Sequence, residues 1–135
     1  MPTARLKRIK NLIGAVKKMD AQNKVEFIAL YGSYLTDKYT KLSDIDLAVY
    51  YNGTKKERFK FRMALSGRVG DKFDVHTFQD LPLYIQAGIV RSNKMVYEKD
   101  RKMTYMALIK SLREYEGFKR CFELYTGHIK GAKID

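Results

Sequence analysis

The sequence predicts an α+β fold, a small mixed β-sheet with helices packed on it. Three observations lead there. Apolar residues recur every three or four positions near the start of the chain and again in its second half. Three short stretches rich in β-branched and aromatic residues, 24–31, 42–51 and 73–78, read as strands. The elements come in the order helix, strand, strand, helix, strand, helix, helix, without a repeat or a Pro/Gly-rich linker, which suits one sheet with helices over one face.

Leu6, Ile9, Leu12, Ile13, Val16 and Met19 lie on one side of an amphipathic helix over 3–20. Lys24 to Tyr31 forms a mostly buried strand that runs into Gly32-Ser33, and a short segment, Tyr34 to Asp37, follows. Leu42 to Tyr51 is a second strand, closed by the Asn52-Gly53 turn signal. Thr54 is placed to cap a helix over 55–69 with Phe59, Met63 and Leu65 inward, and Gly70-Asp71 ends it. Phe73 to Phe78 alternates as a third strand. Leu83 begins a helix that ends near Val90, and Met95 to Glu98 reads as a short edge strand. Asp100 is placed to cap a last helix over 101–125, its inner side formed by Met103, Met106, Leu108, Leu112 and Tyr115, with a frayed tail from Gly127.

Composition bounds the function. The 135 residues, 45% hydrophobic, suit a single domain over 1–135 with a helical C-terminal part. One cysteine excludes an internal disulfide and a Cys-rich zinc module, and Cys121 among Phe122 and Leu124 reads as a packed thiol. No apolar run is long enough to span a membrane, and the basic N-terminus lacks the apolar stretch of a signal peptide, so a cytoplasmic location is expected. The net charge is +12. Segments 1–24, 52–72 and 91–135 carry +6, +5 and +5, whereas 25–51 and 73–90 each carry −2. A field of this kind attracts polyanions: nucleic acid, a nucleoside triphosphate or an acidic protein.

The acids of the negative segments carry the chemistry. Asp44 and Asp46 stand two apart on a strand, so both side chains leave the same face while Ile45 and Leu47 leave the other. Two such carboxylates repel each other unless a cation lies between them, and hard divalent metals prefer oxygen ligands. Asp74, on the third strand, can supply a third oxygen if the two strands are neighbours, enough for a pair of Mg²⁺ or Mn²⁺ ions in a phosphoryl displacement. Gly32 allows close approach, and Ser33 supplies a hydroxyl beside amides suited to phosphate. Singly, each feature has a plain structural reading as a turn or a solvated strand end. Together, in strand–turn–strand order, they point to a triphosphate site.

Gly32-Ser33, ten intervening residues and Asp44-Ile-Asp46 resemble the signature of the DNA polymerase β-like nucleotidyltransferases. The chain's size, the third acid and the helical C-terminal end look most like the minimal nucleotidyltransferases that serve as antitoxin partners of HEPN-domain ribonucleases. The resemblance implies a polymerase β-like fold and metal-dependent transfer of AMP from ATP to an acceptor hydroxyl, with pyrophosphate released. In the antitoxin branch that hydroxyl belongs to a tyrosine of the HEPN toxin. Residue by residue, Gly32 and Ser33 match the phosphate-binding pair, Asp44 and Asp46 the metal-binding pair, and Asp74 the third acid and base candidate. Two other readings stand beside this one: transfer to RNA or to a small molecule, and a non-catalytic basic antitoxin that acts by binding alone.

The remaining polar and aromatic residues are less specific. His76 shares a strand face with Asp74 and reads as a surface or half-buried histidine. Tyr50 and Tyr51 read as core, with stacking on a base as the functional alternative. Lys55, Lys56, Arg58 and Arg62 follow the second strand closely.

Overall fold

A computed structural model describes residues 3–32, 45–92 and 94–129. The elements are α1 (Thr3–Met19), β1 (Val25–Tyr31), β2 (Ile45–Tyr51), α2 (Lys55–Val69), β3 (Phe73–Thr77), α3 (Leu83–Ser92), β4 (Met95–Glu98) and α4 (Arg101–Ile129), with a 3-10 turn at Phe78–Asp80. The four strands form one sheet in the order β3-β2-β1-β4. β1 runs antiparallel to both β2 and β4, and β2 runs parallel to β3. The sheet is therefore mixed, and β4 is the expected edge strand.

Helices cover both faces of the sheet, not one as expected. Strand alternation makes two apolar surfaces, and each needs its own cover. Ile28, Leu30, Ile45, Leu47, Val49 and Val75 pack with Ile9, Leu12 and Val16 of α1 and Leu65 of α2. Phe27, Ala29, Ala48 and Phe78 form a second cluster with Ile89 of α3, against which Ala107 and Leu108 of α4 pack.

Local signals set the boundaries. Asp20 accepts hydrogen bonds from the Lys24 and Val25 amides, both 2.7 Å, and so ties the end of α1 to the start of β1. Thr54 caps α2 as expected: Thr54 Oγ1 accepts from the Glu57 amide, and Glu57 Oε1 accepts from the Thr54 amide. The phase of α2 differs from expectation. Phe59 and Met63 are more than half exposed, and the inward residues are Leu65 and Phe61. In α4, Asp100 accepts from the Lys102 amide at the cap. The inner side of α4 is Thr104, Ala107, Leu108 and Ser111; Met103 and Met106 face solvent. The helix continues through Ile129 where a frayed tail was expected. Cys121 is exposed, because the part of α4 that carries it lies off the core.

Candidate functional site

The parallel pairing of β2 with β3 sets Asp46 directly opposite Asp74. The antiparallel pairing of β1 with β2 sets Tyr31 opposite Asp46. Tyr31, Asp46 and Asp74 therefore form one row across three adjacent strands. Alternation puts all three on the face that holds Phe27, Ala48 and Phe78 further along the sheet. The row is open to water at its β3 end, where the Asp74 side chain is half exposed. Ser33 and Asp44, the other two expected site residues, lie outside the described residues.

Gly32 stands at the end of β1 with φ +75°, a conformation that L side chains rarely adopt. A Cβ there would lie 3.1 Å from Asp46 Cγ and nearer still to Oδ2. The missing side chain leaves the space in which the Asp46 carboxylate stands. This is a stronger demand for glycine than a turn alone makes.

Two neighbours surround the acids. His76, two positions along β3, has Nε2 3.1 Å from Asp74 Oδ2. Its ring meets the Tyr31 ring edge-on at 6.4 Å. Tyr31 was not singled out from the sequence. Its phenol is pushed well above the ordinary tyrosine range, first by burial, then by the negative charges of Asp46 and Asp74, with Arg62 opposing. It stays protonated at neutral pH and is a hydrogen-bond donor beside two carboxylates. The available signal was its place directly before Gly32; its contribution depends on strand register, which spacing does not reveal.

The bases after β2 divide into three. Arg58 is held in the structure: Nε and Nη2 donate to the two Asp80 oxygens at 3.0 and 2.8 Å, and Nη1 donates to the Gly53 carbonyl. Arg62 Nε donates to the Val75 carbonyl at 2.8 Å, placing its charge at the outer edge of β3 near the acid row. Lys55 and Lys56 are exposed. Tyr50 and Tyr51 are at the far end of β2 from Asp46 and pack on Phe27 and Phe61 respectively. A groove of about 620 Å³, lined by Glu26, Tyr50, Met103, Met106 and Lys110 among others, lies at that far end as well, away from the acids.

Among the described residues, no group of three His, Cys, Asp or Glu side chains converges as a metal site, and no helix is long and apolar enough to cross a membrane. Asp46 and Asp74 supply two of the three expected carboxylates. They fit a hard divalent ion on two counts: their oxygens are the donors such ions prefer, and the strand register sets the two residues directly opposite each other.

Residues 14–102 match the family model of the polymerase beta nucleotidyltransferases. The chain belongs to that family. A candidate protein adenylyltransferase of Methanocaldococcus jannaschii is 34% identical over 82 residues. The matched stretch spans 61% of this chain and 63% of that relative. Among solved structures, a toxin–antitoxin with AMP-PNP aligns with a TM-score of 0.64 and 16% identity, covering 89% of this chain and 97% of the other. The complex of tri-AMPylated Shewanella oneidensis HEPN toxin with MNT antitoxin aligns with a TM-score of 0.60 and 15% identity, covering 90% and 98%. At these identities the likeness establishes the fold, and the acid row occupies a polymerase β-like sheet.

Proposed function

We propose that the chain transfers AMP from ATP to a tyrosine hydroxyl of a HEPN-domain ribonuclease and so acts as the antitoxin of a toxin–antitoxin pair. The observation that carries this reading is the row of Asp46 opposite Asp74, with the Asp46 carboxylate seated where Gly32 lacks a Cβ, on a nucleotidyltransferase sheet. The relative from M. jannaschii and the fold neighbours, which include an AMPylated toxin in complex with its antitoxin, support the substrate and the acceptor.

In this reading Gly32 and Ser33 hold the triphosphate, and Asp46, Asp74 and Asp44 would hold Mg²⁺ or Mn²⁺. The metal, when bound, neutralises charge on the phosphates and on the attacking and leaving oxygens. The acceptor oxygen attacks the α-phosphorus, the bond to the β-phosphate oxygen breaks, and pyrophosphate leaves. The acceptor proton passes to Asp74. His76 Nε2, 3.1 Å from Asp74 Oδ2, would steady the carboxylate for that transfer. The Tyr31 phenol, kept protonated by burial and by the two carboxylates, is available as a donor at the Asp46 end of the row. Arg62 at the β3 edge supplies positive charge beside the phosphates.

The test uses ATP labelled at the α-phosphate, Mg²⁺, a small HEPN-domain ribonuclease and, separately, RNA. Label should appear on a toxin tyrosine and ribonuclease activity should fall. Asp46→Asn and Asp74→Asn should each abolish transfer while leaving the thermal unfolding midpoint intact. They should also remove the stabilisation that ATP with Mg²⁺ confers on the wild type. Label on RNA alone, or toxin neutralised with no label transferred, overturns the proposal.

A further inference from the structure

α4 is 29 residues long, about 43 Å, and only its first half lies on the domain. Thr104, Ala107, Leu108 and Ser111 face the body, whereas every residue from Gly117 to Tyr125 is exposed. The inner seam nevertheless continues past the body at three- and four-residue spacing: Leu108, Ser111, Tyr115, Phe118, Phe122, Tyr125. Tyr115 is half-buried beneath Arg91, whose guanidinium lies 5.5 Å from the ring centre. Phe118, Phe122 and Tyr125 are 57%, 55% and 65% exposed, and the two phenylalanine rings stack at 6.1 Å. A core-facing stripe that runs on without a core lacks a covering surface.

The stripe itself specifies the cover. Tyr115, Phe118, Phe122 and Tyr125 read the same in both directions, in residue type and in spacing (three, four, three). A two-fold interface needs this property, because one patch must match itself after rotation. We propose that this segment of α4 pairs antiparallel with the same segment of a second copy of the chain. Tyr115 then meets Tyr125 of the other copy, and Phe118 meets Phe122, in four aromatic layers. The antiparallel sense follows from the fold: each α4 has its own domain on the seam at its first half, so the two domains must lie at opposite ends of the pair.

Charge permits the pairing. Residues 113–126 carry three bases and three acids, so the contact region is neutral in a chain of net charge +12. The two domains still repel at long range, so added salt should tighten the dimer, opposite to its effect on an ion-paired interface. Aromatic side chains bury on the order of 150–250 Å² each, and with about half of that already lost to the helix, eight of them contribute roughly 600–1,000 Å². That is at or below the lower bound for a stable contact, so the dimer is a weak one that should dissociate on dilution. The proposal is independent of nucleotidyl transfer.

Sedimentation of the full chain over a wide concentration series tests it. The wild type should pass from monomer to dimer in the micromolar range. Phe118→Lys and Phe122→Glu should each stay monomeric, with unchanged circular dichroism and melting, since both rings are exposed in the single chain. An equimolar mixture of the two variants should recover the dimer, because only the antiparallel register sets the new lysine against the new glutamate while leaving a phenylalanine pair. Cys121, the single cysteine, lies beside the two-fold axis, so a short bismaleimide should cross-link the wild type and fail with Phe122→Glu. A wild type that is monomeric throughout, including one that engages only a different protein through this stripe, overturns the proposal. So does a dimer that survives Phe122→Glu, or a mixture that shows no recovery.

Discussion

Replacing Gly32 with alanine tests the site geometry through a single methyl group. Two costs can be worked from the structure. The backbone stands at φ +75°, where an L side chain costs about 1–2 kcal/mol. The new Cβ would also lie 3.1 Å from Asp46 Cγ and closer to Oδ2, so the carboxylate must leave its place. Driving that side chain off its rotamer adds about 0.5–1.5 kcal/mol. The total, roughly 1.5–3.5 kcal/mol, should lower the melting temperature by about 5–17 °C for a chain of this size. Function should suffer more than stability, because a displacement near 1 Å in a reacting constellation costs on the order of a hundredfold in rate. Calorimetric melting and titration with ATP and Mg²⁺ measure the two effects. Gly14→Ala and Gly67→Ala are the controls: both sit within helices with nothing inside 4 Å of the added Cβ. Each should stabilise the protein by up to about 1 kcal/mol. If Gly32→Ala melts and binds nucleotide as the wild type does, the Asp46 carboxylate does not depend on that opening and the site geometry argued above is wrong.

The phase of α2 can be checked by truncation. Leu65→Ala should cost about 2–5 kcal/mol in denaturant unfolding, whereas Phe59→Ala and Met63→Ala should stay within about 0.5 kcal/mol; equal effects would refute the orientation. The Arg58–Asp80 pair should make stability acid-sensitive. Hydrogen bonding from Arg58 holds the Asp80 carboxyl below its usual value of 3.8. A lowered folded value means stabilisation that is complete above the ordinary carboxylate range and lost as pH falls through the lower folded value. The wild type should therefore lose more stability than Asp80→Asn between about pH 6 and pH 3. Parallel losses in thermal melts of the two proteins would show that the pair is not coupled to folding.

Much of the fold was legible because its signals are local. Thr54 three residues before Glu57 is a capping box wherever a helix follows. The run Val25 to Tyr31 is apolar enough to demand a buried strand, and it became a central one. The phase of α2 was harder to read. Phe59 and Met63 look like core residues, but α2 also carries Phe61 and Leu65, and the sheet admits only one of these two faces. The same competition sets Met103 and Met106 outward on α4, where small Thr104, Ala107 and Ser111 permit closer approach to the body.

The sequence by itself determined the candidate chemistry. Gly32 beside Ser33, and carboxylates at 44, 46 and 74, point to phosphate and hard cations as the proposed ligands, because side-chain charge and the missing Cβ of glycine are properties of the residues. Only the tertiary structure decided how Gly32, Asp46 and Asp74 meet. The parallel pairing of β2 with β3 sets Asp46 against Asp74, and the antiparallel pairing of β1 with β2 brings Tyr31 into the same row. The packing of α2 decided also that Arg58 is spent on Asp80 while Arg62 reaches the Val75 carbonyl of β3. Strand neighbours are chosen by which apolar faces can be buried together, and that is a property of the whole sheet and its helices, which no segment carries alone.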